Sequence, residues 1–386
     1  MTHRTTVVLV GIGGYGEFYL SALLDEPRAS RCRIVGAVDP QPTRSSRLGD
    51  LASLGVPIHA TLDEFYAHHG ADLAVISSPI QLHAEHTCGA LAHGSHVLVE
   101  KPAAAVNADI DRMIEARDRA KRLVAVGFQW SFSRSILQLK RDIMAGRFGK
   151  PRCGRCLTLW PRTESYYRRN NWAGKKRDEQ GRWILDSPAN NAMAHSLHNL
   201  LFLLGDLPDR SATPVSMTAR LARVNEIETF DTICARVSVQ NGVDLLFLAS
   251  HAIGESEAIE PRFKLEFERA VVEFSGEDAP IAARMDDGTA IEYESPNATQ
   301  ESEKLWHCVD AITDGRDIPC GLEAASAHTQ CIQQIDESEV EVVAFKGDSI
   351  RYDETEAALL RWVPGLAARL EQAYMDGNLP HPKDMK

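Results

Sequence analysis

The chain has 386 residues, of which 44% are hydrophobic, and a formal net charge of -12. This length and composition allow a large core and indicate two domains, while the acidic balance argues against nucleic acid as a main partner. The apolar segments are shorter than the ~20 residues that span a bilayer. The apolar run before Gly11 has no charged leader or small-residue cleavage site. We therefore expect a cytoplasmic protein that does not bind a membrane.

Residues 6 to about 126 alternate short apolar runs with amphipathic stretches, an order that predicts a doubly wound parallel sheet. The predicted strands are Thr6–Val10, Arg33–Val38, Leu73–Ile76, His96–Val99 and Leu123–Val126. The predicted helices between them are Glu17–Leu24, Leu62–Ala67, His83–Ala92 and Ala108–Arg119. This α/β pattern predicts a first domain over residues 1–127.

The pattern changes after Gly127. Helices are predicted at Arg134–Ala145, Asn191–Leu204, Glu303–Thr313, Ala324–Ile335 and Thr355–Tyr374. A strand ending at Trp160 precedes a polar stretch, and period-two alternation predicts later strands at Val215–Leu221, Thr232–Val239, Asp244–Ser250, Phe263–Phe267 and Ala270–Phe274. The second domain, residues 128–386, is therefore predicted to be α+β, with an open, mostly antiparallel sheet and helices on one face.

A glycine-rich turn directly follows the first predicted strand. It reads Gly11, Ile12, Gly13, Gly14, Tyr15, Gly16, a G-x-G-x-x-G pattern. In such a turn the first glycine allows the bend, the second lets the backbone approach a pyrophosphate, and the third lets the helix pack on the strand. Asp39 ends the second strand 28 residues after Gly11, in the region where a ribose-binding acid is expected. The motif predicts a dinucleotide-binding Rossmann domain rather than an ordinary surface turn.

Two further polar segments follow strands of the predicted parallel sheet. Ser78, Pro79 and His83 come after the third strand, and Glu100 and Lys101 after the fourth. Ligands bind at the carboxyl ends of strands in open α/β sheets. These residues are therefore predicted to bind the cofactor, with Lys101 near the nicotinamide. Taken alone, Lys101 would be better explained as a solvated lysine paired with Glu100.

The eight cysteines are scattered, and Cys153 and Cys156 form the one CxxC pair. Residues three apart on a strand point to opposite faces, and no second pair supplies the other zinc ligands. We therefore predict no metal site.

Together, these motifs and the segment that ends at Gln129 resemble the glucose-fructose oxidoreductase / inositol dehydrogenase / rhizopine catabolism (Gfo/Idh/MocA) family of NAD(P)-dependent oxidoreductases. The resemblance covers nearly the whole chain, although Phe345–Lys386 is less typical. It implies a Rossmann domain followed by an open-sheet substrate domain, and it places Gln129 at the cofactor. The implied reaction is hydride transfer between a nicotinamide and a secondary alcohol of a sugar, cyclitol or related polyol.

The family usually carries an Asp-x-x-x-His pair on a helix of the substrate domain, and His195 corresponds to this histidine. Asn191 stands at the aspartate position, and on the predicted helix these two residues share one face. Because an asparagine cannot take a proton, Asp186 is a candidate substitute. We expect Lys101 and His195 to share the proton relay, with Asn191 and His198 at the substrate. Alternatively, one of the two histidines is packed in the core.

Asp39 favours NAD as the cofactor, because a carboxylate accepts hydrogen bonds from ribose hydroxyls and repels a 2′-phosphate. Arg44 leaves NADP possible. Two other functions stay open: NAD-dependent but redox-neutral glycoside processing, and a non-catalytic cofactor-binding sensor. Asn191 favours the sensor and Lys101 argues against it. The resemblance also implies that the open sheet face pairs with another copy, as a homodimer or homotetramer.

Substrate contacts are predicted within residues 162–177, which hold six basic residues and one acidic residue. Trp172 suits stacking on a sugar ring, and Arg168 or Arg169 suits a carboxylate or a phosphate. The alternative is a solvated loop or a contact between subunits, and one such loop is poor support for nucleic-acid binding.

Overall fold

In the computed structural model, residues 4–354, 358–381 and 383 are described, and the chain divides into two compact units. One unit runs up to Phe132 and also includes Gln300–Ser326, and the other comprises Ser133–Thr299 and the residues from Ala327 onward. The sequence predicts a domain boundary after residue 127. By packing, the 3-10 helix Gln129–Phe132 stays with the first unit.

The first unit contains a six-stranded sheet in the order β3-β2-β1-β4-β5-β6. Its strands are Thr5–Val10 (β1), Cys32–Val38 (β2), Ile58–His59 (β3), Leu73–Ile76 (β4), His96–Val99 (β5) and Val124–Val126 (β6), and all pair in parallel. Its first helices are Gly16–Asp25 (α1), Leu48–Ser53 (α2), Leu62–His68 (α3), His83–Ala92 (α4) and Asn107–Ala120 (α5). This strand order is that of a dinucleotide-binding doubly wound sheet, so the predicted α/β architecture is confirmed.

The second unit is built on a nine-stranded sheet in the order β14-β13-β12-β11-β7-β10-β9-β8-β15. Its strands are Pro151–Leu159 (β7), Pro214–Arg223 (β8), Thr232–Val239 (β9), Asp244–Ser250 (β10), Ile259–Phe267 (β11), Ala270–Phe274 (β12), Ile281–Met285 (β13), Ala290–Tyr293 (β14) and Val342–Ala344 (β15). The later helices of the chain are Arg134–Met144 (α6), Glu164–Arg168 (α7), Ala194–Leu203 (α8), Glu303–Asp314 (α9), Leu322–Glu337 (α10) and Leu366–Asp376 (α11). The pairs β7–β10 and β8–β15 are parallel and the other described pairs are antiparallel. The predicted mostly antiparallel sheet is therefore confirmed.

Helix α9 belongs to the first unit, although it lies far along the chain. It packs on β1 and β5, and Leu305, Trp306 and Val309 are fully buried. This packing brings Gln300–Ser326 into the first unit.

Among the described residues, none of the helices combines the length and the apolar character needed to cross a membrane.

Helices cover both faces of the central strands of the second sheet. Thr158 of β7 points toward α8, where its hydroxyl lies 2.9 Å from that of Ser196. Leu157 points to the opposite face, because side chains alternate along a strand, and it shares an apolar cluster with Leu366 and Leu370 of α11. The prediction of helices on one face is therefore wrong at these strands, because α11 covers part of the second face.

The predicted helix Thr355–Tyr374 is wrong over its first half. Leu359–Trp362 is a strand (β17) that pairs antiparallel with Arg351–Glu354 (β16), and Thr355 itself lies outside the described residues. Helix α11 begins only after Gly365, which has a φ of 72°. The Pro-Gly pair before α11 interrupts the helical pattern, since proline lacks the N–H that an interior helical position needs.

Candidate functional site

The glycine-rich turn joins β1 to α1 in the first unit. Gly11 has a φ of +85°, and a Cβ on Gly16 would lie 2.2 Å from the Gly11 carbonyl oxygen, so only glycine lets α1 start this close to the turn. A Cβ on Gly13 would meet nothing closer than Cβ of Arg44, at 3.5 Å. Packing therefore does not require a glycine at position 13, and the bare backbone at the start of α1 fits an approaching pyrophosphate.

Asp39 lies at the end of β2, beside this turn. One carboxylate oxygen accepts the N–H of Ile12 at 3.0 Å and the other accepts that of Gln41 at 2.7 Å. A carboxylate offers about four acceptor positions, so the two bonds leave capacity for ribose hydroxyls. Arg44 is exposed near Gly13. The structure thus brings together the predicted turn, the predicted acid and the residue that leaves NADP possible.

Lys101 follows β5 and is half-buried. Its backbone N–H donates to the Glu100 carboxylate at 3.1 Å. The buried ring of His83 lies between two backbone carbonyls, 2.8 Å from that of Pro102 and 2.7 Å from that of Ser78, and burial lowers the pKa of this ring. His83 thereby ties together the two backbone segments that follow β4 and β5, and so fixes the segment that carries Lys101.

A buried lysine that sequence reasoning missed holds two of the predicted cofactor residues. Lys304 of α9 is 1% exposed, and its ammonium donates to Glu100 Oε1 at 2.5 Å and to the Tyr15 hydroxyl at 2.8 Å. Tyr19 also donates to Glu100, at 2.5 Å. Burial alone raises the pKa of Glu100, but Lys304 and the Tyr19 hydroxyl outweigh it, and the pKa lies below its usual value. Glu100 is therefore an ionised internal partner of Lys304.

Glu301 connects two further residues of the predicted cofactor set. Its carboxylate accepts hydrogen bonds from the Tyr15 hydroxyl and the Gln129 side-chain amide, both at 3.2 Å.

The sequence held one signal for Lys304: this residue shares a helical face with Cys308 and Ala311, which are both buried. A charged residue on the apolar face of a helix indicates a buried partner.

Asn191 is not in the same helix as His195. Helix α8 begins three residues after Asn191, and residues 187–193 form turns before it. The Asn190 side chain bonds to a backbone carbonyl at 3.0 Å and the Asn191 amide donates to Asp186 at 2.8 Å. The predicted helical pairing is therefore wrong, because local side-chain bonds of asparagine compete with the first helical turn.

Asp186 connects two segments of the second unit. It is 2% exposed, and while Oδ1 accepts the Asn191 amide, Oδ2 accepts the backbone N–H of Gly174 at 2.6 Å. The structure thus places Asp186, the candidate substitute for the missing acid, beside Asn191.

The two candidate histidines of α8 differ in burial. His195, the second residue of the helix, is half-buried, whereas His198 is 1% exposed. The His198 ring stacks on Phe202 with centroids 5.8 Å apart, and burial holds its pKa well below the usual value. His198 is thus packed in the core of the second unit, whereas His195 is partly exposed.

Arg168 and Arg169 differ in their surroundings. The Arg168 side chain is 77% exposed and pairs with Glu164 at 3.1 Å. The Arg169 guanidinium lies 3.7 Å from the ring centroid of Tyr166 and 5.2 Å from that of Trp172. Both arginines are exposed, but Arg169 shares a cluster of aromatic rings with the half-buried Trp172, whereas Arg168 is paired with an acid.

Comparison with known proteins identifies the first domain. Residues 5–128 match the sequence model of the GFO_IDH_MocA family, described as an oxidoreductase family with an NAD-binding Rossmann fold. The similarity to this family thus covers the first domain. The predicted resemblance and the predicted NAD cofactor class are therefore confirmed.

Curated relatives match part of the chain. A 1-carboxy-3-chloro-3,4-dihydroxycyclo hexa-1,5-diene dehydrogenase of Comamonas testosteroni is 32% identical over 143 residues, 37% of this chain and 36% of the relative. An inositol 2-dehydrogenase of Burkholderia cenocepacia is 27% identical over 201 residues, 51% of this chain and 54% of the relative. The chain thus spans about a third to a half of the length of these curated relatives.

Solved structures share the fold over most of the chain. An oxidoreductase from Agrobacterium radiobacter in complex with NAD+, L-tartaric acid and magnesium has a TM-score of 0.71 at 19% identity, covering 87% of this chain and 96% of that one. The WlbA dehydrogenase from Bordetella pertussis in complex with NADH and UDP-GlcNAcA has a TM-score of 0.70 at 20% identity, with the same coverage. These likenesses confirm the fold class.

Replacing Asp39 by serine should shift cofactor preference from NADH toward NADPH. The change removes a carboxylate that accepts ribose hydroxyls and repels a 2′-phosphate, while Arg44 stays beside the turn. We expect the ratio of the two dissociation constants, measured by fluorescence titration, to move by at least about tenfold, because hydrogen bonds to charged groups contribute ~1.5–3 kcal/mol. The added change Arg44→Ala should abolish the gain for NADPH. An unchanged ratio in Asp39→Ser would contradict the assignment.

Acid should destabilise the second unit through its buried histidines. Burial lowers the pKa of His251 to about 3, although the Trp160 carbonyl opposes the shift. At a pH between this pKa and that of an unfolded histidine, near 6.5, the unfolded chain binds a proton at residue 251 and the folded chain does not. Stability is thus full above about pH 6.5 and falls with decreasing pH, by up to ~1.4 kcal/mol per pH unit for this residue. Urea unfolding between pH 7 and pH 5.5 measures the slope, and His251→Asn should reduce it; an equal slope in both proteins would count against this.

Proposed function

We propose that the protein is an NAD-dependent dehydrogenase that transfers a hydride between the nicotinamide and a secondary alcohol of a sugar, cyclitol or related polyol. The observation that carries the proposal is Lys101, held at the carboxyl end of β5 in a domain of an NAD-binding oxidoreductase family. The similar inositol 2-dehydrogenase and the WlbA dehydrogenase bound to UDP-GlcNAcA support a carbohydrate-like substrate.

In the proposed reaction the cofactor accepts the hydride and side chains of the protein transfer the proton. When bound, NAD would accept the hydride that leaves the carbinol carbon. As the carbonyl forms, the single hydroxyl proton passes into the relay that Lys101 and His195 share, and it returns by the same relay in the reverse direction. Asn191 and Asp186 orient the substrate hydroxyl, and Asp186 supplies the carboxylate that position 191 lacks. Holding the reacting carbon close to the nicotinamide accounts for much of the catalysis.

Asp186 also bears on the sensor alternative. That alternative depended on the missing carboxylate at Asn191, and the hydrogen bond from Asn191 to Asp186 restores a carboxylate at this point. Cytoplasmic location and a homodimer or homotetramer stay predictions. An assembly through the second sheet has to use surface other than the strands that α11 covers.

Reduction of NAD by a panel of sugars, uronates and inositols tests the proposed function. We expect NADH formation with at least one member and a fall in kcat of about 10²-fold or more in His195→Gln, because a positioned proton acceptor is lost. His68→Gln, an exposed histidine at the end of α3, is the matched control. Binding of NAD without net reduction by any member would reject the dehydrogenase and favour redox-neutral chemistry or sensing.

A further inference from the structure

Two guanidinium groups lie against one aromatic ring in the second unit. The Arg169 guanidinium is 3.7 Å from the ring centroid of Tyr166, and that of Arg162 is 5.0 Å from the same centroid. Arg162 also lies 5.8 Å from the ring of Trp160. Each cation–π contact is favourable by itself, but the two positive charges repel each other.

No acidic side chain among the described residues makes an ion pair with Arg162 or Arg169. Glu164, the one acid of the basic stretch, is already paired with Arg168 at 3.1 Å and with Arg361 at 2.6 Å. The basic stretch therefore presents two cations whose charge its own acid does not compensate.

Two buried polar atoms of the same cluster have no hydrogen-bond partner among the residues that the structure describes: Nε of Arg162 and the hydroxyl of Tyr167. The rings of Tyr166 and Tyr167 lie 5.2 Å apart at right angles, with an interplanar angle of 89°. A buried polar group without a partner costs about 1–3 kcal/mol, and a bound polar ligand is one way in which proteins satisfy such groups.

Asp186 ties this cluster to the turn that precedes α8. Its carboxylate accepts the N–H of Gly174, two residues after Trp172, and the side-chain amide of Asn191. A substrate hydroxyl held by Asn191 would thus lie in the same unit as the two guanidinium groups. Asp186 links the turn that carries Asn191 to Gly174, which closely follows the aromatic cluster along the chain.

We propose that Arg162 and Arg169 bind an oxyanion of the substrate, a carboxylate or a phosphate, so that the substrate is an acidic sugar derivative rather than a neutral polyol; this rests on the proposed function. A guanidinium donates in a planar fork that matches both oxyanions, and the aromatic rings beside it suit an apolar sugar face. Asp186 repels the anionic end of such a substrate and so directs its hydroxyls toward Asn191.

Calorimetry of sugar binding to the full chain tests this inference. NADH is present throughout, because the reduced cofactor cannot oxidise an alcohol and the probes therefore bind without reacting. The probes are matched pairs: D-glucuronate and glucose 6-phosphate against D-glucose, and D-galacturonate and galactose 6-phosphate against D-galactose. We expect at least one acidic member to bind tenfold or more tightly than its neutral parent. Arg169→Ala should remove this difference and leave the affinity for the neutral sugar unchanged. The carboxylate and phosphate probes tell which oxyanion is recognised.

Arg152→Ala is the matched control, because it removes the same charge from an exposed site on β7. Arg152 lies eight residues before Trp160 along the strand, about 26 Å away at ~3.3 Å per residue. Its affinities should stay within twofold of the wild type. The inference is overturned if no acidic probe binds more tightly than its parent, or if Arg169→Ala weakens acidic and neutral sugars equally.

Turnover of the same sugars with NAD separates this inference from the proposed function. Binding of acids that depends on Arg169, without NAD reduction by any probe, would support the anion site and reject the dehydrogenase. Oxidation of neutral sugars by the wild-type protein, without tighter binding of any acidic probe, would support the dehydrogenase and reject the anion site.

Discussion

Lys101→Ala is expected to lower kcat by about 10²–10⁴-fold, the range over which a positioned proton-transfer group acts. Binding of NADH should change little, because the glycine turn and Asp39 lie on other segments of the first unit. Stopped-flow measurement of NADH formation at saturating substrate separates the two effects. Full turnover in Lys101→Ala would reject Lys101 as the proton-transfer residue.

Two further variants separate the proton from the charge. Lys101→Arg keeps a positive charge but gives up no proton near neutral pH, so its kcat should fall almost as far as that of Lys101→Ala. Lys121→Asn is the matched control, since Lys121 is an exposed lysine of the same unit in the left-handed conformation that asparagine tolerates. Recovery of turnover in Lys101→Arg would show that charge alone accounts for the role of Lys101.

Lys304→Met should destabilise the first unit by about 3–5 kcal/mol, because it leaves the buried Glu100 without its cation. The affinity for NADH should also fall, because Tyr15 is part of the glycine turn and its hydroxyl loses the hydrogen bond that Lys304 donates. Urea unfolding and an NADH titration measure the two effects separately.

The double variant Lys304→Met with Glu100→Gln is the control for this prediction. It removes both charges, so most of the lost stability should return, because an uncharged buried amide costs less than an unpaired carboxylate. Arg316→Ala, which breaks exposed ion pairs of the same helix region, should cost less than about 1 kcal/mol. A single variant as stable as the wild type would show that the Glu100–Lys304 pair contributes little to folding.

The first domain was predictable in detail because its signals are local. The strands Leu73–Ile76 and His96–Val99 were predicted to the residue, since strands buried in a parallel sheet form continuous apolar runs. The glycine turn carries its own conformational requirement at Gly11. The positions of Asp39 and Lys101 follow from the rule that parallel strands end at one edge of the sheet.

The second domain was less predictable where side chains, rather than periodicity, set the backbone. The helical pattern included Asn191, but its hydrogen bond to Asp186 belongs to a turn. Likewise, the amphipathic pattern over Leu359–Trp362 suggested a helix, yet pairing with Arg351–Glu354 made it a strand. Short apolar segments satisfy both periods, and the partner that is available decides between them.

The sequence by itself determined the first domain: a strand, a glycine turn, an acid and a lysine follow one another along residues 5–128, which match the NAD-binding Rossmann model of the GFO_IDH_MocA family. Only the tertiary structure decided what surrounds these residues. Lys304 reaches Glu100 across 204 positions, and Asp186 joins Gly174 to Asn191. A sequence pattern records local periodicity, whereas buried charges find their partners through the packing of distant segments.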